Sequence, residues 1–275
     1  MFHRVESKVK SMNNKIKITY ITNSGLMISC GSKKILVDAL FTGKISPWSA
    51  IPEITMQQIQ NGIGPFDGIS LALATHKHPD HFSNDAIKRM KDKNIDIITP
   101  DTIKSNFTKR SAGKPITLVR EKNCKILAYE TMHDGYDEME PITHFCYLID
   151  FNGEKILIMG DAFTENEKFK KWVMNEHIDT ICINFVELNQ EKGRKFIKDT
   201  VQANNVILYH LPLPEDDQYN FRKMTEKNIA KYKAVMPKMY LCADSMESFY
   251  INYDSESSES RSTDRLFTKL SGLSA

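Results

Sequence analysis

The chain has 275 residues, 41% of them hydrophobic and 26% charged, with 37 Lys and Arg against 35 Asp and Glu for a net charge of +2. These are the proportions of a globular protein, and they exclude a wholly disordered, collagenous or coiled-coil chain. The near-balance of charge also argues against a chain devoted to nucleic acid, and no apolar run is long enough to cross a bilayer.

Residues 1–15 are polar and basic and read as a flexible arm without the apolar stretch of a signal peptide. Three short strands follow: Ile16 to Thr22, Leu26 to Cys30 after the Asn23-Ser24-Gly25 turn, and Lys34 to Ala39. Pro52 to Asn61 reads as a helix with Pro52 and Glu53 in its first turn. Ile69 to Ala74 (ISLALA) is apolar throughout, as a strand covered on both faces should be. A helix beginning near Phe82 to Asn84 and a strand at Ile95 to Ile98 come next.

Two hairpins follow, Ile116–Val119 with Cys124–Thr131, and Phe145–Phe151 with Lys155–Met159 around Asn152-Gly153. Asn166–Glu176, Glu191–Ala203 and Asp216–Lys233 have helical patterns, with strands at Thr180–Asn184 and Val206–Tyr209. The simplest layering of these elements is two sheets face to face with helices outside both. No internal linker divides residues 16–243, which read as one domain, and residues 244–275 read as a polar, Ser-rich tail. Five cysteines (Cys30, Cys124, Cys146, Cys182, Cys242) form no CxxC pair and fit reduced thiols in a cytoplasmic protein.

Directly after ISLALA comes Thr75-His76-Lys77-His78-Pro79-Asp80-His81, with four metal-capable side chains within six residues. With 8 histidines in the chain, chance would place such a string in roughly one chain of this kind in three thousand. The end of a buried strand holds the backbone firmly. His76 and His78 project to one side of an extended segment, whereas Asp80 and His81 lie past Pro79 and face a neighbouring point, a geometry suited to two metals sharing a cleft.

This HxHxDH string resembles the signature of the metallo-β-lactamase superfamily, and the resemblance extends to Asp38 in ILVDA, His133 in AYETMHDG, Asp161 in ILIMGDA and His210 in VILYH. It implies an α/β fold, the four-layer αββα metallo-β-lactamase-like sandwich, with the site at the sheet edges. It assigns His76, His78 and His133 to one metal, Asp80, His81 and His210 to the other, and Asp161 to a bridge between them. Such imidazole and carboxylate donors suit two Zn²⁺, with Mn²⁺ or Fe²⁺ as alternatives in the cell. Redox di-iron relatives carry Glu in place of the second histidine of the motif, and His78 argues against that branch.

Asp38 is expected to accept a hydrogen bond from a ligand imidazole and fix its tautomer. Asp80 is the expected catalytic group, with it or a metal-bound water passing a proton to the leaving group. His144 is expected either to steady an oxyanion in the cleft or to be structural, and Tyr136 and Tyr209 flank the site in sequence. Of the remaining histidines, His3 falls in the arm and His177 ends a helix. The expected reaction is attack by a metal-activated hydroxide on an ester, lactone, thioester or amide of a small molecule, with a phosphodiester (phospholipid or nucleotide type) as the alternative. Only 48 residues separate Asp161 from His210, too few for the inserted domain of the nuclease branches, so a nucleic-acid partner is not expected. A non-hydrolytic metal-binding protein is the third reading. The segments 41–60 and 211–219 are candidates to rim the cleft, and sequence leaves the oligomeric state open.

Overall fold

The computed structural model describes residues 15–90, 93–107, 113–135 and 142–252. The first sheet holds six strands in the order β13-β1-β2-β3-β4-β5. They are β1 (Lys15–Thr22), β2 (Gly25–Cys30), β3 (Lys33–Val37), β4 (Leu71–Leu73), β5 (Asp96–Ile98) and, from the far end of the chain, β13 (Ser248–Asn252). The second sheet, in the order β12-β11-β10-β9-β8-β7-β6, holds seven: β6 (Ile116–Glu121), β7 (Cys124–Thr131), β8 (His144–Phe151), β9 (Glu154–Ile158), β10 (Thr180–Asn184), β11 (Asn205–Tyr209) and β12 (Lys238–Leu241). Each sheet opens as an antiparallel meander and continues as parallel strands.

Parallel neighbours require a crossover, and helices supply it. In the first sheet these are α1 (Glu53–Asn61) and α2 (Asn84–Met90), with α3 (Pro100–Phe107) after β5; in the second they are α4 (Glu167–Glu176), α5 (Phe185–Asn189), α6 (Glu191–Lys195) and α7 (Phe221–Tyr232). Strand alternation separates three apolar layers. Ile16, Ile18, Leu26, Ile28, Ile35 and Val37 from one sheet meet Ile126, Tyr147, Ile149, Ile156 and Ile207 from the other in the central core. The alternate residues, such as Met27, Leu36 and Ala72, face α1 and α2, while Leu148, Leu157, Ile181 and Leu208 face α4 and its neighbours. The result is the αββα sandwich.

Several elements differ from the sequence reading, which had none of α3, α5 and β12. The segment 244–252 is not wholly tail: β13 pairs antiparallel with β1 from Lys15↔Asn252 to Thr19↔Ser248. Its polar composition reflects an edge strand with one face open. The helix expected from Asp216 starts only at Phe221. Asp217 holds the entry turn, its carboxylate accepting from the amides of Phe221 at 2.8 Å and Arg222 at 3.0 Å, and Asn220 is left-handed. The helix expected over 191–203 widens into a π-turn at Phe196–Val201. The described cysteines are all free thiols, and Cys124 is buried because it faces the central core. Among the described residues no helix is long and apolar enough to cross a membrane. His3, Tyr136, residues 1–14 of the arm and residues 253–275 of the tail lie outside the described residues.

Candidate metal centre

The site forms where strand ends from both sheets meet. The loop 75–81 leaves β4, His133 follows β7, Asp161 follows β9 and His210 follows β11. Strand ends of this kind carry the side chains of α/β sites, because the sheet fixes the backbone and the following turn frees the side chain. His210 has φ 70° and Asp38 φ 50°, both left-handed. Each is pinned by a backbone bond: the His210 amide donates to the Asn23 carbonyl at 3.0 Å, and the Asp38 amide to that of Leu73 at 2.9 Å.

The structure brings all seven expected ligands together, in two groups. His76, His78, His133 and Asp161 each offer an atom within 4.8 Å of the others, and so do Asp80, His81 and His210. His76 Nε2 lies 2.9 Å from His78 Nδ1, and His81 Nε2 lies 2.8 Å from His210 Nε2. One oxygen is common to both groups. Asp161 Oδ2 stands 3.8 Å from His76 Nε2, 3.7 Å from His133 Nε2, 3.2 Å from His81 Nε2 and 3.6 Å from His210 Nε2. Its other oxygen, Oδ1, accepts from Asn184 Nδ2 at 2.9 Å, which sets the rotation of the carboxylate.

Asp38 fixes two tautomers. Its Oδ2 lies 3.0 Å from His81 Nδ1 and 2.7 Å from the Thr75 hydroxyl, while Oδ1 accepts from the Thr75 amide at 2.7 Å. Because the Thr75 hydroxyl donates to Asp38, it accepts from His76 Nδ1, 3.0 Å away. His76 therefore carries its proton on Nδ1 and turns its Nε2 lone pair into the cluster, and the Asp38 contact at His81 Nδ1 leaves Nε2 as the His81 nitrogen that a cation would take on displacing its proton. Asp80 is held by Asn23, whose Nδ2 donates to Oδ2 at 3.2 Å, and by Ser24, whose hydroxyl donates to the Asp80 carbonyl.

Burial, reinforced by the imidazole of His81, holds His76 well below the ordinary histidine value; burial and His133 lower His78 as well. Both are neutral near pH 7, as ligands must be. His81 is also opposed by burial, but the carboxylates of Asp161 and Asp38 prevail and hold it well above its ordinary value. Burial would raise Asp161, yet His210 and His81 keep it ionised. His133 has neither ring nitrogen hydrogen-bonded, and His210 lacks a partner on Nδ1, although all three atoms are buried. Unpaired buried groups cost about 1–3 kcal/mol each, and converging imidazole lone pairs around a shared carboxylate are the donor set of a divalent cation. The residues fit a dinuclear centre.

His144 does not reach the open side of the cleft. It is fully buried, and burial with the neighbouring His133 pushes it down to about 3, so it is neutral. Its Nε2 accepts the Asp161 amide at 3.1 Å and so positions the backbone of the shared carboxylate. Tyr209 does the same one residue earlier, its hydroxyl accepting the Gly160 amide at 3.0 Å. Asn23, Thr75 and Asn184 were not legible as site residues, because a strand turn, a strand end and a helix cap are ordinary places for them. Trp48 was not legible either; it packs edge-on against His210, with centroids 4.8 Å apart.

A cavity of about 160 Å³ opens beside Asp161 and His133 and runs to Glu187 on α5. The two segments expected to rim the cleft are tied to each other: Ser49 donates to Asp216 at 2.8 Å and accepts the Leu213 amide at 2.7 Å, and Gln218 donates to Ser46 at 2.7 Å.

Residues 17–210 match the family model described as the beta-lactamase superfamily domain. The UPF0173 protein YddR of Bacillus subtilis (strain 168) is 26% identical over 128 residues, 44% of this chain and 46% of that protein, so the match spans about half of that curated relative. Among solved structures, the metallo hydrolase Igni18 of Ignicoccus hospitalis KIN4/I aligns with a TM-score of 0.59 at 15% identity, covering 88% of this chain and all of that one. CmlA, a diiron β-hydroxylase of Streptomyces venezuelae, aligns at 0.55 and 12% identity over 87% of this chain and 54% of that one. At such identities the likeness is one of fold.

Proposed function

Because this chain belongs to the beta-lactamase superfamily, we propose that it is a metal-dependent hydrolase of a small molecule, cleaving an ester, lactone, thioester or amide. His76, His78 and His133 would hold one divalent cation, Asp80, His81 and His210 a second, and Asp161 both. When bound, such a pair supplies Lewis acidity and a water acidic enough to act as nucleophile near pH 7. The observation that carries the reading is the position of Asp161 Oδ2, 3.2–3.8 Å from imidazole nitrogens of both groups.

The chain's own residues do the rest. Asp38 and Thr75 keep two imidazoles in the ligating tautomer, and Asn184 and His144 hold Asp161. Asp80 would take up the proton that the nucleophilic water releases and pass it to the leaving group, while Asn23 keeps its carboxylate oriented. Zinc is the proposed metal on donor type, since imidazole with carboxylate suits it. A diiron enzyme on the same fold makes the choice an experimental one. The free thiols fit a reducing compartment such as the cytoplasm.

The test is elemental analysis of the purified protein, followed by assay of the metal-loaded form on a lactone and p-nitrophenyl ester panel and on bis-p-nitrophenyl phosphate. The expected result is close to two zinc equivalents and turnover of a carbonyl substrate. Turnover of the phosphodiester alone would move the reading to phosphodiesterase, and two bound metals with no turnover on any substrate would favour the non-hydrolytic protein.

A further inference from the structure

The cavity beside Asp161 has a far wall that the metal centre does not use. Glu187 on α5 is only 4% exposed, yet it lines the cavity together with Asp134 and Asn184. One of its oxygens, Oε2, accepts from the Thr164 hydroxyl at a long 3.3 Å, and among the described residues no other hydrogen bond to the carboxyl is seen. The nearest cation is committed elsewhere: Lys192 donates to Asp134 Oδ1 at 2.9 Å and lies over the ring of Phe163, 5.2 Å from its centroid. Asn184 is committed as well, donating to Asp161 and capping Val186.

The fold also makes room for this carboxyl. A Cβ on Gly193, the residue of α6 that faces α5, would come within 2.3 Å of both the Glu187 carbonyl oxygen and Oε2. Glycine is therefore required at 193 for Glu187 to occupy its place. Between Glu187 and the metal-side residues His133 and Asp161, the side walls are formed by Met159, Gly160, Ala162, Ile183 and Val186. Burial, with Asp134 beside it, raises the Glu187 carboxyl to about 7, so it has protonated and ionised forms in reach of neutral pH.

We propose that this cavity is the substrate subsite, and that Glu187 at its end receives a short apolar segment tipped with a nitrogen donor, an ammonium or amide N–H, in preference to an anionic group. The inference rests on the hydrolase reading and adds a substrate class to it. A carboxyl and a paired Asp134 at the end of a small cavity with apolar side walls meet an N–H donor favourably, whereas a carboxylate or phosphate at that end would face both acids with, among the described residues, only Lys192, already paired with Asp134, to offset them. The geometry points to a small molecule with an amine or amide one short chain away from the bond that is cut.

The test uses metal-loaded full-length protein, with n-propylammonium and propionate as probes, read by ¹H–¹⁵N chemical shifts. The expected result is saturable shifts at Asn184, Val186 and Glu187 with n-propylammonium, and affinity at least tenfold weaker in Glu187→Gln. Glutamine keeps an acceptor for Thr164, so a merely structural Glu187 would leave that affinity unchanged, which would overturn the proposal. Shifts from n-propylammonium that avoid these three residues, or propionate perturbing them as strongly, would also overturn it. Gly193→Ala should weaken binding without altering metal content, because it displaces Glu187 and no ligand. Loss of the metal-dependent reading shows separately, as absent metal or absent turnover in the assays above.

Discussion

At the scale of single residues, the shared carboxylate decides how the centre comes apart. Asp161 Oδ2 is within 3.8 Å of His76, His81, His133 and His210 alike, whereas His210 belongs to one group only. Asp161→Ala is expected to lose both metal equivalents and His210→Ala about one, as read by elemental analysis after gel filtration. Equal losses in the two variants would contradict the division into groups. Glu187 carries a second prediction. Burial raises its carboxyl to about 7 in the fold against 4.5 for a solvated glutamate, so the native state binds its proton more tightly than the unfolded chain does. The associated stability is complete below pH 4.5 and is lost as pH rises through 7. That displacement corresponds to about 3 kcal/mol at most. Glu187→Gln should therefore raise the melting temperature of metal-free protein more at pH 8 than at pH 5, and an equal effect at both values would show that the carboxyl is solvated.

At the scale of elements, legibility tracked how local the cause was. The HxHxDH string, the strand before it and the Gly160-Asp161 step could be read because the residues that define them are neighbours in sequence. The start of α7 could not, because Asp217 and Asn220 turn the chain before helical pairing begins, while the amphipathic pattern runs on through them. Strand β13 was hidden for a different reason: its partner β1 lies more than 200 residues away, and an edge strand needs no continuous apolar face. Gly160 shows what a distant constraint looks like. It has φ +55°, and a Cβ there would meet His144 Nε2 and Thr75 Oγ1, each at 2.8 Å. Gly160→Ala is expected to cost about 3 kcal/mol or more from strain and overpacking, and to lower metal occupancy by moving Asp161. Asn166→Ala removes the side chain that accepts the Lys168 and Phe169 amides at the start of α4. It should cost about 1 kcal/mol and leave the metals in place. Denaturant melts with metal analysis separate the two, and comparable metal loss in both would mean that occupancy follows global stability alone.

At the scale of the whole molecule, the centre is a seam between the sheets. His76, His78, Asp80 and His81 come from the loop that leaves the first sheet, and His133, Asp161 and His210 from strand ends of the second. Each group draws on both sides. The protein reinforces the seam without any ion: the Phe145 amide donates to the Thr75 carbonyl at 2.9 Å, and the Tyr147 hydroxyl to the Ala74 carbonyl at 2.6 Å. None of this pairing can be read from one strand's sequence, which is why Thr75 and Tyr209 acquire meaning only once the sheets are docked, whereas Asp38 acts within the first sheet and its role was expected from the sequence. The arrangement has a thermodynamic consequence. An ion whose ligands straddle both sheets cannot be retained when they separate, so its binding free energy adds to unfolding. At a hundredfold excess over Kd each ion contributes about 2.7 kcal/mol, and two ions should raise the melting temperature by about 10–20 °C for a chain of this size. Scanning calorimetry of zinc-loaded and EDTA-treated protein measures the difference. Asp161→Ala should melt at one temperature under both conditions. A zinc-loaded wild type that holds two equivalents yet gains less than about 2 °C would mean that the unfolded chain retains the ions nearly as well, and that the seam is closed by the Thr75 and Tyr147 contacts without them.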